Sequence, residues 1–405
     1  MPNIPTFRIK RVYLLSFLFL IAWIIIRSAY NANSVWIIGR PAGTDRAQTY
    51  REAMAWLSTH QRSQKKIQYI SLGRGGGFAS QFELVAASFV DAVANDTIAL
   101  LYGHYQMYTI SEKCAIWSIR RSNELQDAST CFFLPVTNAS HQRPTQAHVA
   151  ATSLPDINGN ARLPQGLPVE VTPAIWWGIV QTYMFRLNPR MDRRVQEIST
   201  HMGLSRPPDI GVHIRLGDKL NDIASKQQRL QQLTTEQIVQ TYIQEVQSAV
   251  ETLRENRCRA VSWWQRLSND CKRSSVVVYV ASDSREALQM MLRWTKSGTA
   301  PSGITIVGRF THTQEMSNRG TQIRVAMRDI TNDDELYAIA EEIIYDMHIL
   351  RQCRVIIGII MSQVCRSTAA MAYATGRLEY AVAIDYENIQ LHPHMPHWRH
   401  PKYTL

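Results

Sequence analysis

The feature that most constrains the fold is a set of short apolar segments separated by longer amphipathic ones. Residues 276–281 and 355–360 are continuous apolar runs, rich in β-branched side chains. Such runs are typical of parallel strands, because helices cover both faces of a parallel sheet. Residues 284–295 and 333–350 carry the longer apolar period of helices. Strands that alternate with helices predict an α/β chain with a doubly wound sheet.

The same order occurs earlier in the chain. A strand at 67–72 precedes a glycine-rich loop, a helix at 79–94 and a strand at 98–101. Further along, Arg206-Pro-Pro-Asp is typical of a boundary, because prolines interrupt regular elements. We therefore expect two Rossmann-like domains that face a cleft, with a tail after the second. The predicted domains and tail are 66–205, 206–380 and 381–405.

An apolar stretch near the N-terminus predicts a membrane anchor. Residues 12–26 are apolar apart from one serine, and basic residues at 8, 10 and 11 precede them. This charge bias favours a cytosolic N-terminus, which would make the rest of the chain lumenal. A cleaved signal peptide is the alternative. The sequons at Asn95 and Asn138 are candidate N-glycosylation sites of such a chain. The expected segments are a cytosolic tail 1–11, a transmembrane signal anchor 12–27 and a stem 28–65.

The six cysteines favour disulfides over a metal site. None of them forms a Cys-x-x-Cys pair, and an even number suits an oxidising compartment. Cys353 and Cys365 flank a predicted strand that spans roughly 20 Å, so we do not expect them to pair with each other. The candidate pairs are Cys258 with Cys271 and, next, Cys114 with Cys131.

The chain is basic, with a net charge of +11. Its basic residues are scattered and match no nucleic-acid-binding signature, so we expect no nucleic-acid partner. An anionic small substrate accounts for the charge. A basic surface with no special partner accounts for it equally well.

The first candidate motif is the glycine loop Gly73-Arg-Gly-Gly-Gly-Phe between a strand and a helix. Glycines let backbone N–H groups approach a phosphate, and a helix N-terminus favours anions. Gly76, Gly77 and Phe78 are the candidate ligand-binding residues of this motif. The segment matches neither the dinucleotide pattern nor the P-loop, and a plain tight turn is the alternative.

The second motif is Gly211-Val-His-Ile-Arg at a predicted strand end. Alternation along a strand places His213 and Arg215 on the same face. A strand-end arginine can hold a diphosphate in a bidentate way. Lys219 lies just beyond, on the loop. A salt-bridged strand end without a ligand is the alternative.

Two further motifs supply carboxylates and a helix start. Asp283 stands at the tip of the strand 276–281, and Asp346 lies late in the helix 333–350. After the next strand, Ser362 and Gln363 are expected to open a helix and offer N–H groups to an anion. Taken alone, Asp346 could be an ordinary helix carboxylate.

Together these segments resemble the α1,6-fucosyltransferases that use GDP-fucose. The resemblance extends over about residues 68–375, and its strongest part is Tyr345-Asp-Met-His-Ile-Leu with Ser362-Gln-Val-Cys-Arg. The remaining matches are His213-x-Arg215, Tyr279-x-Ala-Ser-Asp283, Pro173-Ala-Ile-Trp-Trp and Gly77-Phe-x-x-Gln81.

The resemblance implies a GT-B-like fold and an inverting reaction that needs no metal or other cofactor. GDP-fucose would be the donor, and a GlcNAc of an N-glycan core or a similar oligosaccharide would be the acceptor. Asp346 and His213 would hydrogen-bond the guanine. Arg215, the glycine loop and the amides of Ser362 and Gln363 would neutralise the diphosphate. Asp283 would also belong to the GDP-fucose site. With the N-terminal anchor, the family implies a single-pass type II protein of the Golgi membrane. The resemblance does not fix the oligomeric state, and a homodimer is one alternative.

Two departures from the family concern the acceptor side. The second arginine that core-fucosylating members carry after His-x-Arg is Leu216 here, and their double aspartate is Asp283-Ser284. The general base is also displaced. Lys219 is kept, and Asp222 is the candidate base, with Glu236 as the alternative. A protein O-fucosyltransferase and an inactive lumenal sugar- or nucleotide-binding protein are the competing hypotheses.

Overall fold

Strands and helices alternate along the computed structural model of the chain, as predicted. The structure describes residues 45–63, 65–72, 77–103, 128–137, 163–216, 233–260, 274–311, 314, 333–360, 362–385 and 398–399. The strands are β1 Ile67–Leu72, β2 Ile98–Gly103, β3 Ile210–Ile214, β4 Val276–Ser282, β5 Ile304–Gly308, β6 Val355–Gly358, β7 Tyr380–Ala383 and β8 Trp398–Arg399. The α-helices are α1 Arg46–His60, α2 Phe78–Ala94, α3 Pro173–Met184, α4 Pro189–His201, α5 Thr235–Ala260, α6 Arg285–Lys296, α7 Asp333–Leu350 and α8 Gln363–Ala374.

A six-stranded parallel sheet forms the C-terminal half. Its order is β5-β4-β3-β6-β7-β8, and every neighbouring pair is parallel. Numbered from β3, this is the order 3-2-1-4-5-6 of a Rossmann sheet. The predicted doubly wound sheet is confirmed. The direction of winding reverses between β3 and β6, and this switch point is where such sheets bind ligands.

Each face of this sheet belongs to a separate hydrophobic core. Val212, Val278 and Ile357 point into a cluster with α5 and α6. Tyr279 points to the other face and joins a cluster with α3, α4 and α7. Because both faces are covered, the central strands are mostly apolar, and all five residues of β3 are buried.

The described part of the N-terminal half contains two parallel strands, β1 and β2, paired from Ile67↔Ile98 to Leu72↔Gly103. Helix α2 packs on them through an aromatic group that includes Phe78, Phe82 and Phe133. Two strands do not define a Rossmann domain, so that description of 66–205 and its boundary at 206 stay predictions.

Helices from both halves pack very closely at Gly178. A Cβ atom on this residue of α3 would lie 2.2 Å from the carbonyl oxygen of Ala370 and 2.7 Å from Cβ of Ala374, both in α8. The Pro173-Ala-Ile-Trp-Trp motif therefore begins a helix whose glycine lets α8 approach. Its Trp176 is fully buried in the same core.

A buried ion pair also joins the two halves. Glu83 of α2 is 1% exposed, and its carboxylate accepts hydrogen bonds from Arg366 Nη2 at 2.8 Å and Ser367 Oγ at 3.2 Å. Arg366 is the last residue of the Ser-Gln-Val-Cys-Arg motif. Its role in the structure is to hold the start of α8 against α2.

Two segments depart from the predicted organisation. Helix α1 falls within the predicted stem, yet Ala53 and Leu57 are fully buried and Trp56 packs edge-on against Trp176. The helix is therefore part of the globular body. Strands β7 and β8 fall at or within the predicted tail but extend the sheet. Both errors arise because short or weakly apolar segments gain their apolar contacts only in the folded chain.

Among the described residues, no helix has the length and apolar character needed to span a membrane. The predicted anchor 12–27 lies outside the described residues. Cys353 and Cys365 are free and buried, which confirms that they do not pair with each other. Cys131 and Cys258 are each in a disulfide. Cys114 and Cys271 lie outside the described residues, so the pairing stays a prediction.

We expect Arg366→Met to destabilise the chain by about 3–5 kcal/mol, because it leaves the Glu83 carboxylate buried without its partner. Unfolding in urea measures the loss. The control is Arg51→Met, which removes an ion pair with Asp45 whose side chains are 66% and 64% exposed, and which should cost less than about 1 kcal/mol. Equal losses for the two variants would contradict a structural role for Arg366.

Candidate functional site

The candidate site lies where β3 and β6 end, at the switch point of the sheet. His213 pairs with Ala281 of β4 on one side and with Gly358 of β6 on the other. A Cβ atom on Gly358 would lie 2.4 Å from Sγ of Cys365 and 3.4 Å from Cβ of His213. Glycine at this position therefore allows α8 to begin close to the two strand ends.

His213 is a buried, neutral imidazole. Burial, with a smaller contribution from the positive charge of Arg215, lowers its pKa to about 3. Its Nδ1 is buried and has no hydrogen-bond partner among the described residues. Most buried polar atoms in proteins are hydrogen-bonded, so this ring is suited to bind a ligand group.

Arg215 and Asp283 come together just past the ends of β3 and β4. Arg215 Nε lies 3.4 Å from Asp283 Oδ2, and the backbone N–H of Leu216 donates to Asp283 Oδ1 at 2.8 Å. Asp283 thus holds both the guanidinium and the chain that follows β3. Leu216 packs against the α5–α6 core, as expected of a residue on the opposite face. Ser284 caps α6 by accepting from the N–H of Ala287.

Asp346 lies beside the sheet face that carries Tyr279. The Tyr279 hydroxyl donates to Asp346 Oδ1, and the residue keeps part of its surface exposed. Burial raises the pKa of this carboxyl to about 6, although Arg309 and the Tyr279 hydrogen bond lower it and Glu342 raises it. An ordinary exposed helix carboxylate does not have these partners, and a ligand-binding role for Asp346 stays a prediction.

Helix α8 begins at this edge with Ser362 as its N-cap, as predicted. The Ser362 amide donates to the Ile359 carbonyl at 3.0 Å, so Gln363 is the better-placed donor for an anion. Asp385, which follows β7, accepts from the N–H of Ile360 at 2.8 Å. This buried carboxylate fixes the turn that leads into the helix.

The N-terminus of α2 lies near the start of α8, because Glu83 in its second turn contacts Arg366 and Ser367. Gly77 is its N-cap, and a Cβ atom there would meet nothing within 4 Å. Phe78 was predicted to bind the donor, but its side chain is fully buried against Phe132 and Phe133. Only its backbone can serve a ligand.

The structure does not describe several of the predicted site residues. Gly76, Lys219, Asp222, Asn138 and Cys271 lie outside the described residues. Of the others, Asn95 is exposed at the C-terminal end of α2, as glycosylation requires. Glu236, the alternative base, is exposed in the first turn of α5.

Within the described part of the chain, no group of three or more His, Cys, Asp or Glu side chains is arranged to hold a metal ion. The acidic run Asp333-Asp334-Glu335 opens α7. Acidic residues in a first helical turn interact favourably with the helix dipole, which is a structural explanation for this run.

The sequence did not point to three residues of this site. Tyr279 belongs to the Tyr279-x-Ala-Ser-Asp283 motif, but its contact with Asp346 depends on how α7 packs. Asp385 ends an apolar strand in the same way as Asp283, and that pattern could have drawn attention to it. Arg309 follows β5 directly and interacts electrostatically with Asp346. Nothing in its sequence neighbourhood marks it.

The site as a whole can bind an anion and a polar ring together. Arg215 and the helix N-termini provide positive potential at the switch point, where anions are stabilised. His213 and Asp346 offer an uncharged ring nitrogen and a carboxylate on the same face of the sheet. This combination suits a phosphorylated nucleoside.

Comparison with known proteins gives limited help. No family model matches the sequence, and no curated protein matches it. Among solved structures, the chain is similar to the NodZ α1,6-fucosyltransferase soaked with GDP-fucose, with 13% identity, 76% of this chain and 93% of that chain covered, and a TM-score of 0.36. It is also similar to POFUT1 in complex with GDP, with 10% identity, 80% and 98% covered, and a TM-score of 0.35. An Arabidopsis thaliana FUT1 mutant with GDP gives 9% identity, 80% and 75% covered, and a TM-score of 0.35. Because these TM-scores are below 0.5, the function has to be inferred from the site itself.

Asp346→Asn should gain stability relative to wild type as the pH rises. The folded-state pKa of Asp346 is about 6, above the unfolded value of about 3.9. Its contribution is therefore fully present below about pH 4 and is lost as the pH rises through 6. The unfolding free energy of the variant minus that of wild type should increase across this window and then level off.

Urea unfolding at a series of pH values measures this difference. The Tyr279→Phe variant, which keeps Asp346, loses a donor to the charged carboxylate. Its unfolding free energy should therefore fall more steeply than that of wild type as the pH rises. Tyr345→Phe is the control, since the Tyr345 hydroxyl contacts Ser199 instead. A flat difference between pH 4 and 7 would contradict the raised pKa.

Proposed function

We propose that this chain is a glycosyltransferase that transfers fucose from GDP-fucose to a sugar hydroxyl. One observation carries the proposal: the sheet order gathers three separate sequence motifs around a single switch point. His213 and Arg215 belong to one motif, Asp283 to a second and Gln363 to a third, and these distant segments meet where β3, β4 and β6 end. A parallel sheet binds nucleotides at this place.

The nucleoside would be held by the neutral and acidic groups of the site. Guanine presents N–H donors at N1 and N2, and Asp346 is the carboxylate available to accept them. His213 Nδ1, which is buried and has no partner in the described part of the chain, supplies a second polar contact. Uracil has a different donor pattern, so this pair of groups favours GDP over UDP.

The diphosphate would lie beside Arg215, with the N–H groups at the starts of α8 and α2 around it. When the bond between fucose C1 and the phosphate oxygen breaks, the electron pair stays with GDP and negative charge grows on that oxygen. Donors fixed in advance stabilise this charge more in the transition state than in the ground state. Asp283 positions Arg215 for this role through the 3.4 Å contact.

The acceptor hydroxyl would attack C1 from the opposite side and lose its proton to a general base. We propose Asp222 as the base, with Lys219 nearby, and a reaction that inverts the anomeric centre. The proposed product is an α1,6 linkage to a GlcNAc of an N-glycan core or a similar oligosaccharide. We place the enzyme in the Golgi membrane as a single-pass type II protein, without a metal requirement.

The experiment that tests this function measures transfer from labelled GDP-fucose to three classes of acceptor. N-glycan core oligosaccharides should be labelled, while chitin oligosaccharides test the wider acceptor class and a folded peptide domain tests protein O-fucosylation. The assay is run with and without EDTA, and activity should persist in EDTA. GDP binding without transfer to any acceptor would instead favour an inactive binding protein.

Nucleotide selectivity gives a sharper test of Asp346. GDP should inhibit transfer far better than UDP, and Asp346→Asn should weaken GDP binding by roughly 2–5 kcal/mol, because it removes a charged partner of the guanine N–H groups. Isothermal titration measures both effects. The urea unfolding of the same variant shows whether it is folded, so that weaker binding is not mistaken for unfolding. Equal inhibition by UDP and GDP would reject the assignment.

Replacing Arg215 by lysine tests the leaving-group role. Lysine keeps the charge but loses the planar fork of the guanidinium, and loss of a donor of this kind costs roughly 100- to 1000-fold in turnover. We therefore expect Arg215→Lys to lose most of its activity while the protein still folds. Arg293→Lys, on the exposed surface of α6, is the matched control. Near-normal turnover of Arg215→Lys would remove Arg215 from the mechanism.

A further inference from the structure

Arg309 has donors for which the described part of the chain provides no acceptor. It follows β5 directly, and its guanidinium lies over the ring of Tyr345, with Cζ 4.7 Å from the ring centroid. Its Nε and Nη2 are buried and have no hydrogen-bond partner among the residues that the structure describes. Two unsatisfied donors on one buried cation are costly, and such groups call for an explanation in a folded protein.

The guanidinium lies close to the carboxylate proposed to bind guanine. Asp346 follows Tyr345 in α7, and the positive charge of Arg309 lowers the pKa of the Asp346 carboxyl. The hydrogen bond to that carboxylate comes from Tyr279, while Arg309 Nε and Nη2 remain unused. Arg309 and Asp346 therefore interact electrostatically, while Nε and Nη2 of Arg309 form no hydrogen bond with the Asp346 carboxylate.

Arg309 also lines a cavity. A cavity of about 730 Å³ lies between α4 and α7, and Arg309, Arg193, Tyr337 and Glu342 are among the residues that line it. This volume is within the range of small-molecule sites. A ligand group in this cavity can contact Arg309 and the side of α7 that carries Glu342.

A carboxylate beside a guanidinium matches one base in particular. Guanine has donors at N1 and N2 and, on the adjoining edge, acceptors at O6 and N7. Arginine commonly contacts O6 and N7 of guanine in a bidentate way. Adenine presents an amino donor where guanine has O6, so it would oppose the guanidinium.

We propose that Arg309 is a specificity-determining residue that donates to O6 and N7 of the guanine whose N1 and N2 groups donate to Asp346. This rests on the proposed function, since it deepens the choice of donor nucleotide. Tyr279 is the positioning residue of the pair, because it holds one oxygen of the carboxylate. A structural role for Arg309, limited to the Tyr345 ring and the charge of Asp346, would not depend on which base is bound.

Titration of purified full-length protein with nucleotide analogues separates the two roles. The ligands are GDP, 7-deaza-GDP, in which a C–H group replaces N7, and ADP. Wild-type protein should bind 7-deaza-GDP at least about 5-fold more weakly than GDP, with ADP weaker still. Arg309→Gln should weaken GDP binding by about 5- to 150-fold, the range of one bidentate base contact.

The decisive result is the coupling between the variant and the analogue. In Arg309→Gln, GDP and 7-deaza-GDP should bind within about 2-fold of each other, because the contact that distinguishes them is gone. Arg193→Gln is the matched control. It removes an exposed arginine from the same cavity and should leave the preference for GDP unchanged.

Two outcomes would overturn the inference. One is equal binding of GDP and 7-deaza-GDP by wild-type protein, which needs no variant and decides the matter even if Arg309→Gln does not fold. The other is a folded Arg309→Gln protein that keeps the full preference for GDP. If wild-type protein binds GDP and loses it in Asp346→Asn, these outcomes leave the proposed function standing. If wild-type protein binds no GDP, the proposed function fails as well.

Discussion

The parallel pairing of β3 with β4 and β6 is the constraint on which the site depends. Parallel strands bring all their carboxyl ends to one edge of the sheet, so residues that follow different strands meet there. His213 lies between Ala281 and Gly358 in this register, and a shift of one residue would turn its side chain into the opposite core. The missing side chain at Gly358 then lets α8 start beside His213. Register and close packing together create the place where a phosphorylated ligand can bind.

The two edges of the sheet differ in how fully their buried polar groups are hydrogen-bonded. At the amino edge, Asp209 accepts from Arg257 at 2.5 Å, from Arg206 at 3.0 Å and from the N–H of Val277 at 3.0 Å. That carboxylate is fully used by the protein. At the carboxyl edge, His213 Nδ1 and two nitrogens of Arg309 have no partner among the residues described by the structure. Groups that the fold leaves unsatisfied destabilise it, and a bound ligand that pairs with them restores the loss.

The helix that completes the site is held from several directions. Glu83 binds Arg366 and Ser367 of α8, Gly178 of α3 lets the helix approach, and Asp385 fixes the preceding turn. Three residues of the Ser-Gln-Val-Cys-Arg motif thus have distinct physical tasks. Gln363 offers an amide, Cys365 fills the space over Gly358, and Arg366 forms the buried ion pair. Cys365 and Arg366 therefore have packing roles in the fold, while ligand binding by the Gln363 amide stays a prediction.

The sequence by itself determined most of the regular elements and the candidate residues. Apolar runs and helical periods depend on near neighbours, so β4, α6 and α7 were predicted almost to the residue, and strand ends identified His213, Arg215 and Asp283. Tertiary structure decided what depends on distant parts of the chain. It placed α1 in the core instead of a stem, added β7 and β8 to the sheet, and buried Phe78. It also brought Tyr279 and Arg309 to Asp346, because contacts between β4, β5 and α7 arise from packing across the sheet, and no local pattern in the sequence encodes them.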